Sequence, residues 1–238
     1  VNILDHNKAK MTDLACRREM QDSQQQGGVD GPTVASYRKA LDVMAEKADV
    51  DIKLLAIPGL RDPSVTEYAI DTCEDRFDAM LIMDVVEVDD VNEVVENKAT
   101  QVISVSNTVE NLLLRNLDTS FAAAYFPDCV VPDPKTRTNV LCPPSVAVLG
   151  AFALNDAVAH PWFAPAGFTR GALARVVESQ VKLNRANLDT LYEADINPLS
   201  AFPHTPGVVV WGQKTLQSAK SALDRVNVRR LLIEIRRQ

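Results

Sequence analysis

The 238-residue sequence lacks most of the marks by which chemistry is read from a chain. It has four cysteines, at positions 16, 73, 129 and 142, and none forms a CxxC pair. A zinc centre needs ligands at short paired spacing, and a disulfide framework needs dense cysteines, so this set predicts reduced thiols and no metal. The three histidines, His6, His160 and His204, lie far apart, which excludes an HExxH-type zinc site. There is no GxxxxGK(S/T) phosphate loop, no GxSxG elbow and no GxGxxG fingerprint, so no cofactor is expected. No apolar run approaches the roughly 18 residues that span a bilayer, so no membrane partner is expected. A basic surplus is also missing: 25 Lys and Arg face 32 Asp and Glu, a formal charge of −7. That balance argues against a nucleic-acid-binding domain.

What is present is 46% apolar and 24% charged residues, the composition of a chain that buries a real core. Residues 1–30 differ from the rest and contain the polar stretch Gln24 to Gly28, read as a peripheral remnant or linker. From residue 31 a regular alternation begins. Val34, Tyr37, Leu41, Met44 and Ala48 recur on one helical face, and Ile52–Ile57 is a short strand closed by Pro58-Gly59. Asp62-Pro63-Ser64 starts a helix with Val65, Ala69, Cys73 and Phe77 on one side. Cys73 there is read as a small apolar filler. Ala79–Met83 is a second strand, ending at Asp84.

The acidic stretch Glu87–Glu96 is expected as a loop and a solvated helix, Val102–Val105 as a weak strand, and Phe121–Phe126 as a third core strand. Further on, Ser145–Phe152, Ala172–Leu188 and a final segment read as helices, and Val208–Trp211 as a strand. In the final helix Val228, Leu231, Leu232 and Ile235 are expected to face inward, with Asn227 as its N-cap. Unbroken apolar strands separated by helices predict an α/β fold. Its sheet would be mostly parallel or mixed and flanked by helices, with a small N-terminal appendage.

Candidate chemistry is thin. Asp84 ends a core strand, where ligands sit in open parallel sheets, so it is read either as a catalytic or Mg²⁺-binding acid or as a cap on neighbouring loop amides. His160 beside Trp162 is a general base or a ring packed on an aromatic. Arg229, Arg230, Arg236 and Arg237 form a basic cluster on the last helix, either a solvated face or a docking surface for an acidic partner. The acidic segment 84–96 offers such a surface on the same protein, so copies could pair head-to-tail into rings or filaments.

Several short stretches, taken together and in order, resemble the contractile phage tail sheath family. They are Ile57-Pro58-Gly59, the strand end Leu81-Ile82-Met83-Asp84, Ala122–Pro127, Asp133-Pro134, and Pro143-Pro144-Ser145 leading to Gly150 and Asp156. The most specific come last: Trp162-Phe163-Ala164-Pro165-Ala166-Gly167, Leu191-Tyr192 through Ile196-Asn197-Pro198, Trp211–Leu216, and Arg225–Leu231. Trp162, Pro165 and Gly167 read as a stiff loop with a buried indole, and Trp211-Gly212 as a tight strand end.

The resemblance covers residues 31–238 and implies the core of a non-enzymatic structural subunit, the first residues remaining outside that core. It implies helical polymerisation with other sheath subunits around a tail tube protein, contact with a baseplate and tail terminator, and contraction by rigid-body rearrangement. It implies a place in the virion tail after assembly in the host cytoplasm, with Arg229, Arg230, Arg236 and Arg237 facing the tube. Equivalent sheaths of secretion systems and bacteriocins, and the giant-phage branch, fit equally. The sequence starts at Val1, and the expectation is a trimmed core, monomeric on its own, whose parent exchanges terminal strands with neighbours. The competing readings are a hydrolase-like or phosphotransfer enzyme using Asp84, and a monomeric binding module using the arginine helix.

Overall fold

The computed structural model describes residues 34–95, 101–203 and 207–237. The expectations for residues 1–30, Cys16, His6 and His204 fall outside these. The chain runs α1 (Val34–Ala45), β1 (Leu54–Ala56), α2 (Pro63–Arg76), β2 (Met80–Asp84), α3 (Val105–Leu113), β3 (Ala122–Phe126), β4 (Cys129–Pro132) and β5 (Asn139–Cys142). It continues with α4 (Pro144–Val158), α5 (Gly167–Arg170), β6 (Ala172–Leu173), β7 (Glu178–Ser179), α6 (Arg185–Glu193), β8 (Ile196–Ala201), β9 (Val208–Val210), a 3-10 turn (Ala222–Asp224) and α7 (Val226–Arg237).

The main sheet has six strands in the order β1-β2-β3-β8-β9-β6. The first four lie parallel, and β9 runs antiparallel to both β8 and β6. Parallel strands need cover on both faces, which is why β2 and β3 are buried at every position. The two-residue alternation sorts them. Leu81, Met83, Ala122, Ala124 and Phe126 enter a core with α1, α2, α3 and α6. Met80, Ile82, Ala123 and Tyr125 enter the opposite core with Val148, Ala151 and Phe152 of α4 and Val226 and Ile233 of α7. The α/β class with a mixed sheet flanked by helices is therefore as the sequence predicts. A second, three-stranded antiparallel sheet, β5-β4-β7, was not foreseen.

Local signals account for most elements. The Asp62 carboxylate accepts the Ser64 amide at 2.9 Å and Pro63 occupies the first turn of α2. Val65, Ala69 and Cys73 are fully buried along it. Phe77 is not a further rung: it ends the helix in the left-handed region (φ 59°) and lies half-exposed, edge-on to Phe121 at 5.3 Å. Arg76, 2% exposed, donates to the carbonyls of Met44 and Val50 and pairs with Asp78, tying the end of α1 to α2.

Three expectations are corrected. The Ala172–Leu188 helix does not exist. That stretch forms β6 and β7, and α6 starts only at Arg185, capped by Asn184. The β-branched pair Val176-Val177 disfavours helix, and the open edge of β4 offers the Val130 carbonyl to the Val177 amide at 2.9 Å. Val102–Val105 is not a strand either. Ser104 caps α3, and only Ile103 bridges to Asp89. The acidic stretch, in its described part, is no solvated helix but a tight loop with Glu87 and Val88 about 1% exposed.

Cys73 and Cys129 are fully buried and Cys142 is half-buried, all as free thiols. Burial pushes the Cys73 thiol up to about 12 and raises the other two. Iodoacetamide is therefore expected to label Cys142 at least about tenfold faster than Cys73 or Cys129 in the folded protein, with the difference erased in denaturant. Peptide mass spectrometry over a labelling time course reads this, and equal rates in the native state would contradict the burial.

Candidate functional site

The motif residues converge, and they meet one another. Asn197, fully buried at the start of β8, is the centre. Its Nδ2 donates to the Ala124 carbonyl at 3.0 Å and the Lys214 carbonyl at 2.8 Å, while its Oδ1 accepts the Lys214 amide at 2.6 Å. Gly212 is obligatory for this contact. A Cβ there would stand 2.7 Å from the Asn197 Oδ1, so the chain approaches the carboxamide too closely for any side chain.

Outside this knot Lys214 Nζ donates to the Tyr192 carbonyl at 2.8 Å, pairs with Asp195 at 2.6 Å and sits 4.0 Å over the Tyr192 ring. Arg225 donates to the Tyr192 hydroxyl at 3.3 Å, which lowers the phenol's pKa. Together Tyr192, Lys214 and Arg225 border an open cleft.

The helix α7 is mounted on that knot. The Val226 amide donates to the Gln213 carbonyl at 2.9 Å, and the Arg229 amide makes the first helical bond to the Arg225 carbonyl at 3.0 Å. Arg225, in extended conformation, thus holds the cap position. Asn227 is not the N-cap. It lies inside the first turn and its Nδ2 donates to the Trp162 carbonyl at 3.4 Å. The strand-to-helix connection, fixed by Gln213, starts the helix before the residue with the better capping side chain.

The inward face of α7 is also different from the expected one. Val226, Arg230 and Ile233 point inward, whereas Leu232 and Ile235 are 41% and 59% exposed. The period is right and the phase is rotated, because Arg230 has a partner inside. It is 6% exposed, pairs with Asp156 of α4 at 2.5 Å and lies 4.9 Å over the Phe152 ring.

The four arginines therefore do not form one solvated face. Half-buried Arg229 bonds Ser120 and covers the Phe121 ring at 4.0 Å, and burial lowers its pKa. Arg237 pairs with Asp51 and donates to the Ile52 carbonyl at 2.8 Å. Arg236 is exposed and rests 4.8 Å over Phe77.

Asp84 caps loop amides. It is 1% exposed; Oδ1 accepts the Ser145 amide at 2.7 Å, and Oδ2 accepts the Ser145 hydroxyl at 2.8 Å and the Gly59 amide at 2.9 Å. Burial pushes its carboxyl up, opposed by Arg61 and by these three donors. Arg61 in turn pairs with Asp128 and, at 3.7 Å, with Glu87, all within the interior. Both oxygens of the buried Asp84 thus accept protein donors, which is the capping reading of that acid. His160 stacks on Trp162 at 4.5 Å. Trp162, expected to be buried, is 38% exposed, and Trp211 at its strand end is 42% exposed, while Pro165 is buried and Gly167 supplies a φ of 82°. Sequence reasoning missed Asn197, Asp156 and Gln213 as anchors; they stand in or beside the quoted motifs, but only the fold shows what they bond.

The sequence profile of the phage tail sheath protein central domain matches residues 30–216. The chain is 45% identical over 84 residues to the tail sheath protein of Vibrio phage KVP40, covering 35% of this chain and 12% of that protein. It is 26% identical over 209 residues to the tail sheath protein of Enterobacteria phage T4, covering 84% of this chain and 31% of that protein. It thus spans less than a third of either relative. Among solved structures, a chain of the six-fold symmetrised baseplate of the anti-feeding prophage superposes with a TM-score of 0.61 at 21% identity, over 92% of this chain and 55% of that one. A chain of the PVC sheath complex in its contracted state gives 0.60 at 23% identity, over 83% and 49%.

Two outcomes follow from this bonding. Asn197→Ala and Gly212→Ala each break the knot and are expected to destabilise the fold by about 2–4 kcal/mol, seen as a lower urea midpoint at unchanged slope. Asp84→Ala strands the buried Ser145 and Gly59 donors, and is expected to cost about 2–4 kcal/mol in the same assay. Midpoints within error of wild type would refute either assignment.

Proposed function

From the premise that this chain belongs to the phage tail sheath protein family, whose central domain matches residues 30–216, we propose that it is the core of a structural subunit of a contractile tail sheath. The parent polymerises helically with copies of itself around a tail tube protein, between a baseplate and a tail terminator, in a virion tail assembled in the host cytoplasm. In this proposal residues 31–238 are its α/β core and residues 1–30 the remnant of a peripheral domain or a linker.

The observation that carries this reading is that the motif residues spend their bonding on one another. Gly59 and Ser145 meet on Asp84, Asn197 meets Lys214, Asp156 meets Arg230, and Asn227 meets Trp162. Such a body moves as a unit. Contraction is then a rearrangement of rigid subunits out of a metastable extended state, with no catalytic residue and no bound nucleotide.

The tube-facing role falls on the outer side of α7. Arg236, Leu232 and Ile235 are exposed there, flanked by half-buried Arg229 and Arg237, while Arg230 supports the helix from within. The exposed apolar residues supply contact area and Arg236 a screened charge.

Negative-stain electron microscopy of the full-length parent, expressed alone, tests the reading. Hollow striated tubes are expected, and discrete globular particles would overturn it. In tubes reconstituted on the tube protein, Arg236→Glu is expected to reduce co-sedimentation by at least about tenfold at low salt. Unchanged co-sedimentation would move the tube contact off this face.

A further inference from the structure

Two surface features of this chain are opposite in sign. The first is an aromatic platform, two groups of rings set on either side of the four-residue turn α5. Phe168 packs against Phe202 at 5.4 Å and Trp211 at 5.1 Å. Two residues on, the Arg170 guanidinium lies 4.3 Å over the Phe163 ring, beside the Trp162–His160 stack. Both tryptophans of the chain are in this group. Trp162, Phe163, Phe168 and Trp211 are 38%, 36%, 48% and 42% exposed, a concentration of large rings that a folded monomer seldom leaves to water. Among the described residues Arg170 has no carboxylate partner, so a desolvated anion on this surface would be matched.

The second feature is the loop after β2. The Asp89 carboxylate, 9% exposed, accepts the amides of Val91 at 3.0 Å and Glu93 at 2.9 Å. The Asp89 amide donates to the Glu93 carbonyl at 2.9 Å, and Asn107 donates to the Asp89 carbonyl at 2.8 Å. The loop is thereby a stiff knob. Val91 at its tip is 73% exposed, and Asp90 and Glu93 beside it are exposed with no ion pair among the described residues. The knob follows β2, the platform surrounds β9 and β6, and three strand steps of the sheet separate β2 from β9, so neither reaches the other within one chain.

We propose that the platform receives the Asp90–Glu93 knob of a second copy. Val91 seats against the exposed Trp162 and Phe163 rings, and Asp90 and Glu93 face Arg170 beside them. The charges settle the occupant: an acidic, apolar-tipped, pre-ordered loop is what a ring surface with one unpaired guanidinium fits, and the same chain carries it. The contact joins different patches on the two copies, so it is heterologous and builds rings or open filaments. It rests on the sheath reading for its place in an assembly and deepens it by naming one subunit contact.

Sedimentation equilibrium of the 238-residue chain tests it, with Arg170→Glu, the double variant Asp90→Lys/Glu93→Lys, and Val91→Asp. All change surface positions, and circular dichroism checks folding. Wild type is expected to associate as its concentration approaches about 1 mM, the weak end of specific contacts. Each variant alone is expected to associate at least about tenfold more weakly. Arg170→Glu keeps a live knob and the double variant a live platform. Their equimolar mixture is expected to associate at least about tenfold more strongly than either variant alone, since it restores one native contact and one charge-exchanged contact. A wild type that stays monomeric, variants that associate like wild type, or a mixture that stays monomeric would overturn the contact. Parent chains that form tubes with and without Arg170→Glu would overturn this contact and leave the sheath reading standing. Parent chains that form no tubes would sink the sheath reading, and the mixing experiment alone would then decide the contact.

Discussion

The carboxamide of Asn197 holds the place where this sheet changes direction. β8 is parallel to β3 on one side and antiparallel to β9 on the other, and a buried amide at its start bonds both ways. A wholly buried polar side chain is tolerable only when its donors and acceptors are satisfied, and here each hydrogen bond also fixes a piece of backbone. Gly212 must lack a side chain for the amide to fit, Gln213 must then present its carbonyl to Val226, and α7 must start there. The helix that carries the candidate contact surface is positioned from the sheet outward by this one group.

The buried charges follow the same logic at the other end of the strands. Arg61, Asp84, Glu87 and Asp128 form an interior cluster around the end of β2 and the residues after β3. Ion pairs of this kind add little net stability compared with apolar packing, but breaking one partner away is costly. They therefore specify geometry. Asp84 joins the turn at Gly59 to the start of α4, which carries Asp156, which in turn holds Arg230 of α7. The two polar networks meet at α7, so the whole body is cross-tied from strand ends to surface helix. Cross-ties of this kind hold the body to a single arrangement.

Much of the architecture is legible in the chain itself. Unbroken apolar runs mark β1, β2 and β3 because strands of a sheet covered on both faces are mostly apolar, and Asp62-Pro63 marks the start of α2 because its chemistry is local. The reading failed where a distant edge outbid local periodicity. Residues 172–184 carry helical spacing, yet the open side of β4 and the neighbouring β9 draw them into extended pairs. The apolar spacing of α7 gave its period but not its phase, because the inward position belongs to an arginine whose partner sits 74 residues away.

The sequence by itself determined the core strands, the α/β class, the family resemblance and the absence of familiar catalytic motifs, since each rests on side chains near in sequence or on composition. Only the tertiary structure decided what the motif residues do. Asp84 became a clamp, Arg230 became an internal strut with Arg229 and Arg237 tied down half-buried beside it, and the two tryptophans became surface. The physical reason is that satisfying a buried polar group depends on which donors folding brings within about 3 Å, and that distance has no signature along the chain.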